Sequence, residues 1–229
     1  MNVWTGPVVV TGTDTGVGKT VVTAAIAAAA ARAGATVAVV KPAQTGGDDD
    51  AGVVSALAAP AIVKTLASYP DPLAPLAAAR VSGRVPLGLS TVVDAVRSLR
   101  TDLVLVEGAG GLLVSLGPQW TVADLARELG APVVVVARAG LGTLNHTALT
   151  LEALQRRGLR ARVVIGAWPS APELVHYANL TDLAGPLAGA VPDGAGSLAP
   201  PEFRDRAPDW LSPGLYGHLD AEAWRAQGR

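Results

Sequence analysis

Residues 12–20 constrain the fold of this chain more than any other stretch. They read Gly12-Thr13-Asp14-Thr15-Gly16-Val17-Gly18-Lys19-Thr20, follow the apolar run Pro7–Thr11 and lead into the alanine-rich segment Val21–Ala31. A glycine-rich turn between a buried strand and a helix has a specific use. Its backbone N–H groups point at phosphate oxygens, the helix N-terminus adds positive potential, the lysine reaches the terminal phosphates and the next hydroxyl serves Mg2+. Gly16, Val17, Gly18, Lys19, Thr20 and Val21 are therefore expected to hold a nucleoside triphosphate, ATP in the first instance. Five residues separate Gly12 from Gly18, where the common loop has four. The loop is a variant.

The remaining pattern suits such a loop. Short β-rich runs at Pro7–Thr11, Thr36–Val40, Asp102–Val106, Pro132–Ala137, Arg162–Gly166 and Leu187–Val191 alternate with helical stretches. Those stretches lie near Lys19–Ala33, Ser90–Leu99, Val122–Leu129, Leu144–Arg157 and Pro172–Leu183. Alternation of this kind predicts an α/β fold, a doubly wound, mainly parallel sheet with helices on both faces. Gly34, Gly130 and Gly158 stand where left-handed C-caps are usual. Residues 1–229 read as one nucleotide-binding domain. Within it, Gly46-Gly47, three aspartates and prolines at 60, 70, 72 and 75 mark residues 43–86 as a substrate-side insertion of loop and short helices. Residues 200–229 read as a weakly patterned C-terminal cap.

Composition removes several classes of function. The formal net charge is −1 with no basic block, which gives no electrostatic reason to expect nucleic acid. The absence of cysteine excludes disulfides, thiolate nucleophiles, cysteine-based zinc sites and iron–sulfur clusters. Mean hydropathy is positive, yet the apolar stretches fall short of the roughly 20 residues that span a membrane. Met1–Thr11 lacks the basic and apolar regions of a signal peptide. A cytoplasmic protein with no membrane partner is expected.

Three further features cluster at predicted strand ends, where open α/β sheets bind ligands. Lys41-Pro42-Ala43-Gln44-Thr45-Gly46 follows the second strand. A lone strand-end lysine is usually a solvated charge, but beside a phosphate loop Lys41 suits anionic groups on a substrate or a transferring phosphoryl. Leu103-Val104-Leu105-Val106-Glu107 runs into Gly108-Ala109-Gly110-Gly111. A hydrophobic strand ending in a carboxylate directs it towards Mg2+, and the glycines permit close backbone approach. Asp48-Asp49-Asp50 suits a solvated loop or a helix N-terminus, with at most one or two of the three as metal ligands. His146, His176 and His218 show no metal-ligand spacing.

Taken together, the variant loop, Lys41-Pro42-x-x-Thr45-Gly46, Val106-Glu107-Gly108-Ala109-Gly110-Gly111 and Leu141-Gly142-Thr143-Leu144-Asn145-His146 resemble the dethiobiotin synthetase family over roughly residues 7–195. The resemblance implies a ligase of biotin biosynthesis that converts 7,8-diaminopelargonic acid, CO2 (or bicarbonate) and MgATP into dethiobiotin, ADP and phosphate. It further implies catalytic roles for Lys41, Lys19 and Thr15, and Mg2+ ligation by Thr20, Asp50 and Glu107, with Asp49 as the alternative aspartate. Nucleotide contacts extend to Gly108, Ala109, Gly110, Gly166, Ala167, Pro192, Asp193 and Gly194. Thr45, Leu144 and Asn145 would bind the substrate, the last two through a helix N-terminus that a homodimer completes. From composition alone, Asn145 could equally be a helix cap.

Two departures from the family pattern stand out. Gly16 replaces a glutamate found in some relatives. Gly166-Ala167-Trp168-Pro169 stands where many relatives read the adenine edge with Asn-Asp, so base discrimination is expected to be weak. Trp168 admits two readings, stacking on the base or buried packing. A partition-type switch ATPase carries a signature lysine where this chain has Asp14. An amidating synthase needs a cysteine nucleophile, which this chain lacks.

Overall fold

Valine-rich runs without polar alternation need cover on both faces, and here they receive it. The structure, a computed structural model, describes residues 3–183 and 185–226; the remaining residues of the 1–229 unit lie outside the described ones. β1 (Gly6–Gly12) leads through the phosphate loop into α1 (Lys19–Arg32), followed by β2 (Val37–Thr45), α2 (Asp50–Ala58) and β3 (Ile62–Tyr69). α3 (Pro75–Val81) and α4 (Leu89–Arg97) precede β4 (Leu103–Gly111), a small hairpin of β5 (Ser115–Gly117) and β6 (Trp120–Thr121), and α5 (Val122–Leu129). The chain then alternates through β7 (Val133–Ala137), α6 (Thr143–Gln155), β8 (Ala161–Trp168), α7 (Leu174–Asp182) and β9 (Leu187–Pro192). α8 (Pro200–Arg206) and α9 (Ala221–Ala226) close it.

Seven strands form one sheet in the order β3-β2-β4-β1-β7-β8-β9, and every pairing in it is parallel. The doubly wound expectation is met. On one face α1 buries Val22, Ile26 and its alanines against Val8, Val10 and Val134. On the other, Val92, Val96 and Leu125 from α4 and α5 cover Val9, Val104 and Val133. Local signals set the helix ends. Thr121 and Asp124 form a reciprocal capping box at the start of α5, which satisfies two N–H groups that the helix cannot. Gly34, Gly130 and Gly158 adopt φ values of 89°, 62° and 69°, as expected for left-handed helix ends.

Three segments differ from expectation. Residues 43–86 are not only loop and short helices, since Ile62–Tyr69 is a strand that forms the sheet edge beside β2. β2 runs past Val40 to Thr45, although Pro42 lacks an N–H. Pairing with β4 has already ended at Val40, and pairing with β3 skips Pro42, so no ladder bond is lost. The tail after residue 200 is part of the core: Phe203, Leu211 and Leu215 are fully buried in the cluster that contains α1. No helix among the described residues is long and apolar enough to cross a membrane.

Candidate functional site

The chain moves from β1 to strands on one side, then returns past β1 to β7 on the other. In a parallel sheet such a reversal opens a crevice at the C-terminal strand ends, and here the phosphate loop fills its floor. Gly18 caps α1 with φ 91° and offers no side-chain cap, and no acidic residue occupies the first helical turn. The first N–H groups of α1 are thus left for a ligand. The loop rests directly on β8. A Cβ on Gly18 would lie 2.7 Å from the Gly166 carbonyl oxygen, and one on Gly166 would overlap the Val17 carbonyl. Glycine at both positions is a packing requirement.

Four charged side chains and one hydroxyl converge beside this floor. Lys41 Nζ lies 2.5 Å from Asp50 Oδ2 and 2.8 Å from Glu107 Oε1, with Lys41 and Glu107 both buried. Thr20 Oγ1 lies 3.0 Å from Asp50 Oδ1 and 2.9 Å from the same Glu107 oxygen. One hydroxyl proton cannot serve two carboxylates at once. Three hard oxygens so close together form a donor set that suits Mg2+, which takes one or two carboxylates and completes its shell with phosphates and water. Lys19 Nζ donates to the Asp14 carbonyl at 3.0 Å.

The electrostatics of the two lysines differ. Burial opposes the Lys41 charge, but Glu107 and Asp50 outweigh it and hold its pKa above the usual lysine range. For Lys19, burial and then the neighbouring Lys41 charge prevail, and its pKa falls below that range. Burial would raise the Asp50 carboxyl, yet the Lys41 ammonium with its hydrogen bond, and that of Thr20, keeps it low.

The cleft above these groups has a volume of about 430 Å³ and is also lined by Thr15, Gly16, Val21, Thr45, Ala109 and Gly110. It continues past Thr15, Thr45 and Asp48 into an arm of about 280 Å³ walled by Pro72, Leu73, Pro75 and Val114. Asp49 is turned to helix capping, accepting from the Gly52 N–H at 2.8 Å. A second cleft of about 250 Å³ lies beyond Gly16 and Val17, bordered by Arg138, Ala167, Pro169, His176 and Asp193. Gly166 lies beneath the loop, and Gly108, Pro192 and Gly194 line neither cleft. Trp168 packs edge-on against Trp224, with ring centroids 4.8 Å apart, and against Tyr177 and His176; it does not line the second cleft.

Leu144 and Asn145 lie in the first turn of α6, whose N-cap is Gly142. Asn145 is therefore inside the helix and not its cap; neither residue lines the two clefts. Sequence reasoning missed Arg138 and weighed His176 only as a metal ligand. The only signal for Arg138 was its position directly after a buried strand. His176 Nδ1 accepts from the Glu173 N–H at 2.9 Å, a role that leaves no trace in the sequence.

Comparison with known proteins adds three findings. Residues 7–195 match the family described as AAA domain. An ATP-dependent dethiobiotin synthetase of Streptomyces coelicolor is 55% identical over 228 residues, covering 94% of this chain and 96% of the relative. One from Rhodococcus jostii is 55% identical over 215 residues, covering 89% and 93%. In shape, the MinC:MinD cell division protein complex of Aquifex aeolicus superposes with a TM-score of 0.56 at 15% identity, covering 98% of this chain and 96% of the other. At that identity the likeness concerns the fold alone.

Proposed function

Since this chain belongs to the ATP-dependent dethiobiotin synthetase family, we propose that it closes the ureido ring of 7,8-diaminopelargonic acid with CO2 and ATP. The observation that carries this reading is the convergence of Lys41, Asp50, Glu107 and Thr20 on the uncapped start of α1. An amine of the substrate attacks CO2 and loses a proton to give a carbamate. A carbamate oxygen attacks the γ-phosphorus and ADP leaves. The second amine then attacks the carbamoyl carbon, the ring closes with loss of a proton, and phosphate departs. None of these steps needs a protein nucleophile; positioning and charge neutralisation carry the catalysis.

The residues divide that work. Lys19 and the free N–H groups of residues 16–21 hold the terminal phosphates. Lys41 stabilises the carbamate and the γ-phosphoryl passing to it, with Thr15 donating nearby and Thr45 against the diamine. Thr20, Asp50 and Glu107 would hold Mg2+, which supplies charge neutralisation on the triphosphate. Ala109 and Gly110 line the cleft without side-chain bulk, and the Pro72–Val114 arm suits the alkyl chain of the substrate. The base would lie in the second cleft, near Ala167 and Asp193. Gly166, Pro192 and Gly194 would contribute through the backbone geometry around it, and Gly108 at the phosphate end, where its carbonyl lies 3.5 Å from Lys41 Nζ.

The first turn of α6, with Leu144 and Asn145, suits the substrate carboxylate. We assign its completion to a second copy of the chain. Leu141 and Leu149 flank this turn at 91% and 58% exposure, which supports a covered surface there; sedimentation at a dimer mass is expected. The activity is assigned to the cytoplasm.

The test is direct. Supplied with the diamine, bicarbonate and MgATP, the protein is expected to yield dethiobiotin, identified by mass. Phosphate release that ignores the diamine would instead favour a switch ATPase.

A further inference from the structure

Arg138 stands directly after β7 and reaches across to the phosphate loop. Its Nη2 donates to the Thr15 carbonyl at 3.0 Å and lies 3.3 Å from Asp14 Oδ2. Asp14 is itself tied into the loop twice: its Oδ1 accepts from the Thr15 N–H at 2.7 Å, and its carbonyl accepts from Lys19 Nζ at 3.0 Å. The strap that carries Arg138 is pinned from its other side. Asn179, buried on α7, donates through Nδ2 to the Ala139 and Gly140 carbonyls at 2.9 and 3.0 Å. A connected path therefore runs from α7 through residues 138–140 to the outer turn of the loop and on to Lys19.

We propose that Arg138 is a positioning residue, which clamps the Asp14–Thr15 turn and thereby sets the affinity of the loop for the triphosphate. An exposed ion pair on its own contributes little to stability, and this pair is about half exposed on both sides. Its value lies in geometry. A phosphate loop binds through the direction of its N–H groups, so a turn held before the ligand arrives spares the cost of ordering it on binding. The planar guanidinium meets a carboxylate and a carbonyl together, which a lysine ammonium does less well. Arg138 touches neither the cluster around Lys41 nor the reacting atoms. It also borders the cleft assigned to the base, but its effect on the phosphates passes through Asp14 and Lys19.

The inference rests on the reading of residues 12–20 as a nucleotide site, and the two fail differently. Calorimetric titration of MgATP without the diamine is measured first, because it needs only the loop. A parent protein that binds no MgATP overturns both. If the parent binds, Arg138→Ala is expected to weaken MgATP binding and raise its KM about tenfold, with kcat changed less than about threefold, as for lost preorganisation. The melting temperature without nucleotide is expected to stay within about 2 °C of the parent. Arg138→Lys is expected to recover part of the affinity. Combining Arg138→Ala with Asp14→Ala is expected to cost less than the sum of the two, as for groups that act as one. Parent-like MgATP binding by Arg138→Ala, or full additivity with Asp14→Ala, overturns the clamp.

Discussion

The two ends of the nucleotide crevice are built on different principles. At the phosphate end, Lys19, Lys41 and Glu107 are buried, and Asp50 completes an ion-pair network with Lys41. At the other end, the cleft beyond Gly16 is bordered by Ala139, Gly140, Ala167 and Pro169, with polar groups confined to Arg138, His176 and Asp193. A buried network is costly to disturb, because each charge left behind loses its partner. An apolar pocket with few polar groups discriminates weakly between ligands of similar shape. Under the proposed function, this contrast predicts strong recognition of the triphosphate and loose recognition of its base.

The contrast can be broken at its strong end first. Lys41→Ala and Lys19→Ala are each expected to lower kcat by about a thousandfold or more, the scale of lost electrostatic stabilisation at a transferring phosphoryl. Dethiobiotin formation measures this, and retained turnover in Lys41→Ala would leave Lys41 a structural role. Glu107→Gln is expected to cost about a hundredfold in kcat. It is also expected to lower unfolding stability by about 3 kcal/mol, since Lys41 loses its most buried partner; denaturant titration reads the second effect. At the weak end, rates with ATP, CTP and GTP are expected to fall within about tenfold of one another. A strong preference for ATP would end the comparison.

The smallest effect concerns stability. The folded pKa of Lys19 is lowered by burial and then by Lys41, so folding disfavours its charge. The sign follows from proton counting: the unfolded chain binds more protons between the lowered folded value and the ordinary value near 10.4, and stability rises with pH across that window. Below it the penalty is constant. Lys19→Met is therefore expected to melt about 2 °C higher than the parent without nucleotide at neutral pH, while being inactive. Lys41 has the opposite sign. Its raised pKa contributes stability that is complete below the ordinary lysine value and is lost as pH rises through the folded one.

The sequence exposed the strong end because its groups sit in contiguous motifs at the ends of apolar runs. Lys19 and Thr20 follow a glycine turn, Lys41 follows Val37–Val40, and Glu107 follows Leu103–Val106. The edge strand β3 stayed hidden because an edge strand needs no continuous apolar run. Ile62–Tyr69 carries exposed Lys64 and Thr65 and is bracketed by Pro60 and Pro70. Adjacent Asp49 and Asp50 look alike in sequence, and only the start of α2 separates them, by turning Asp49 to the Gly52 N–H and Asp50 to Lys41. Arg138 was illegible for another reason. It is an exposed charge whose partner lies 124 residues away in the chain, and no local pattern records such a pairing.

One helix has a consequence for how such a protein can change over time. From Ala24 to Ala30, α1 presents only alanine and Ile26 to the sheet and the tail, and all of it is buried. Single-base changes in an alanine codon yield Ser, Thr, Pro, Gly, Val, Asp or Glu. In this segment these bring an unpartnered polar atom, a broken or loosened helix, excess bulk or a buried charge. Few amino-acid replacements are expected to be tolerated there. The helix that carries the phosphate loop is therefore expected to tolerate fewer replacements than the rim of the second cleft, whose Arg138, Ala167 and Asp193 are not packed into the core.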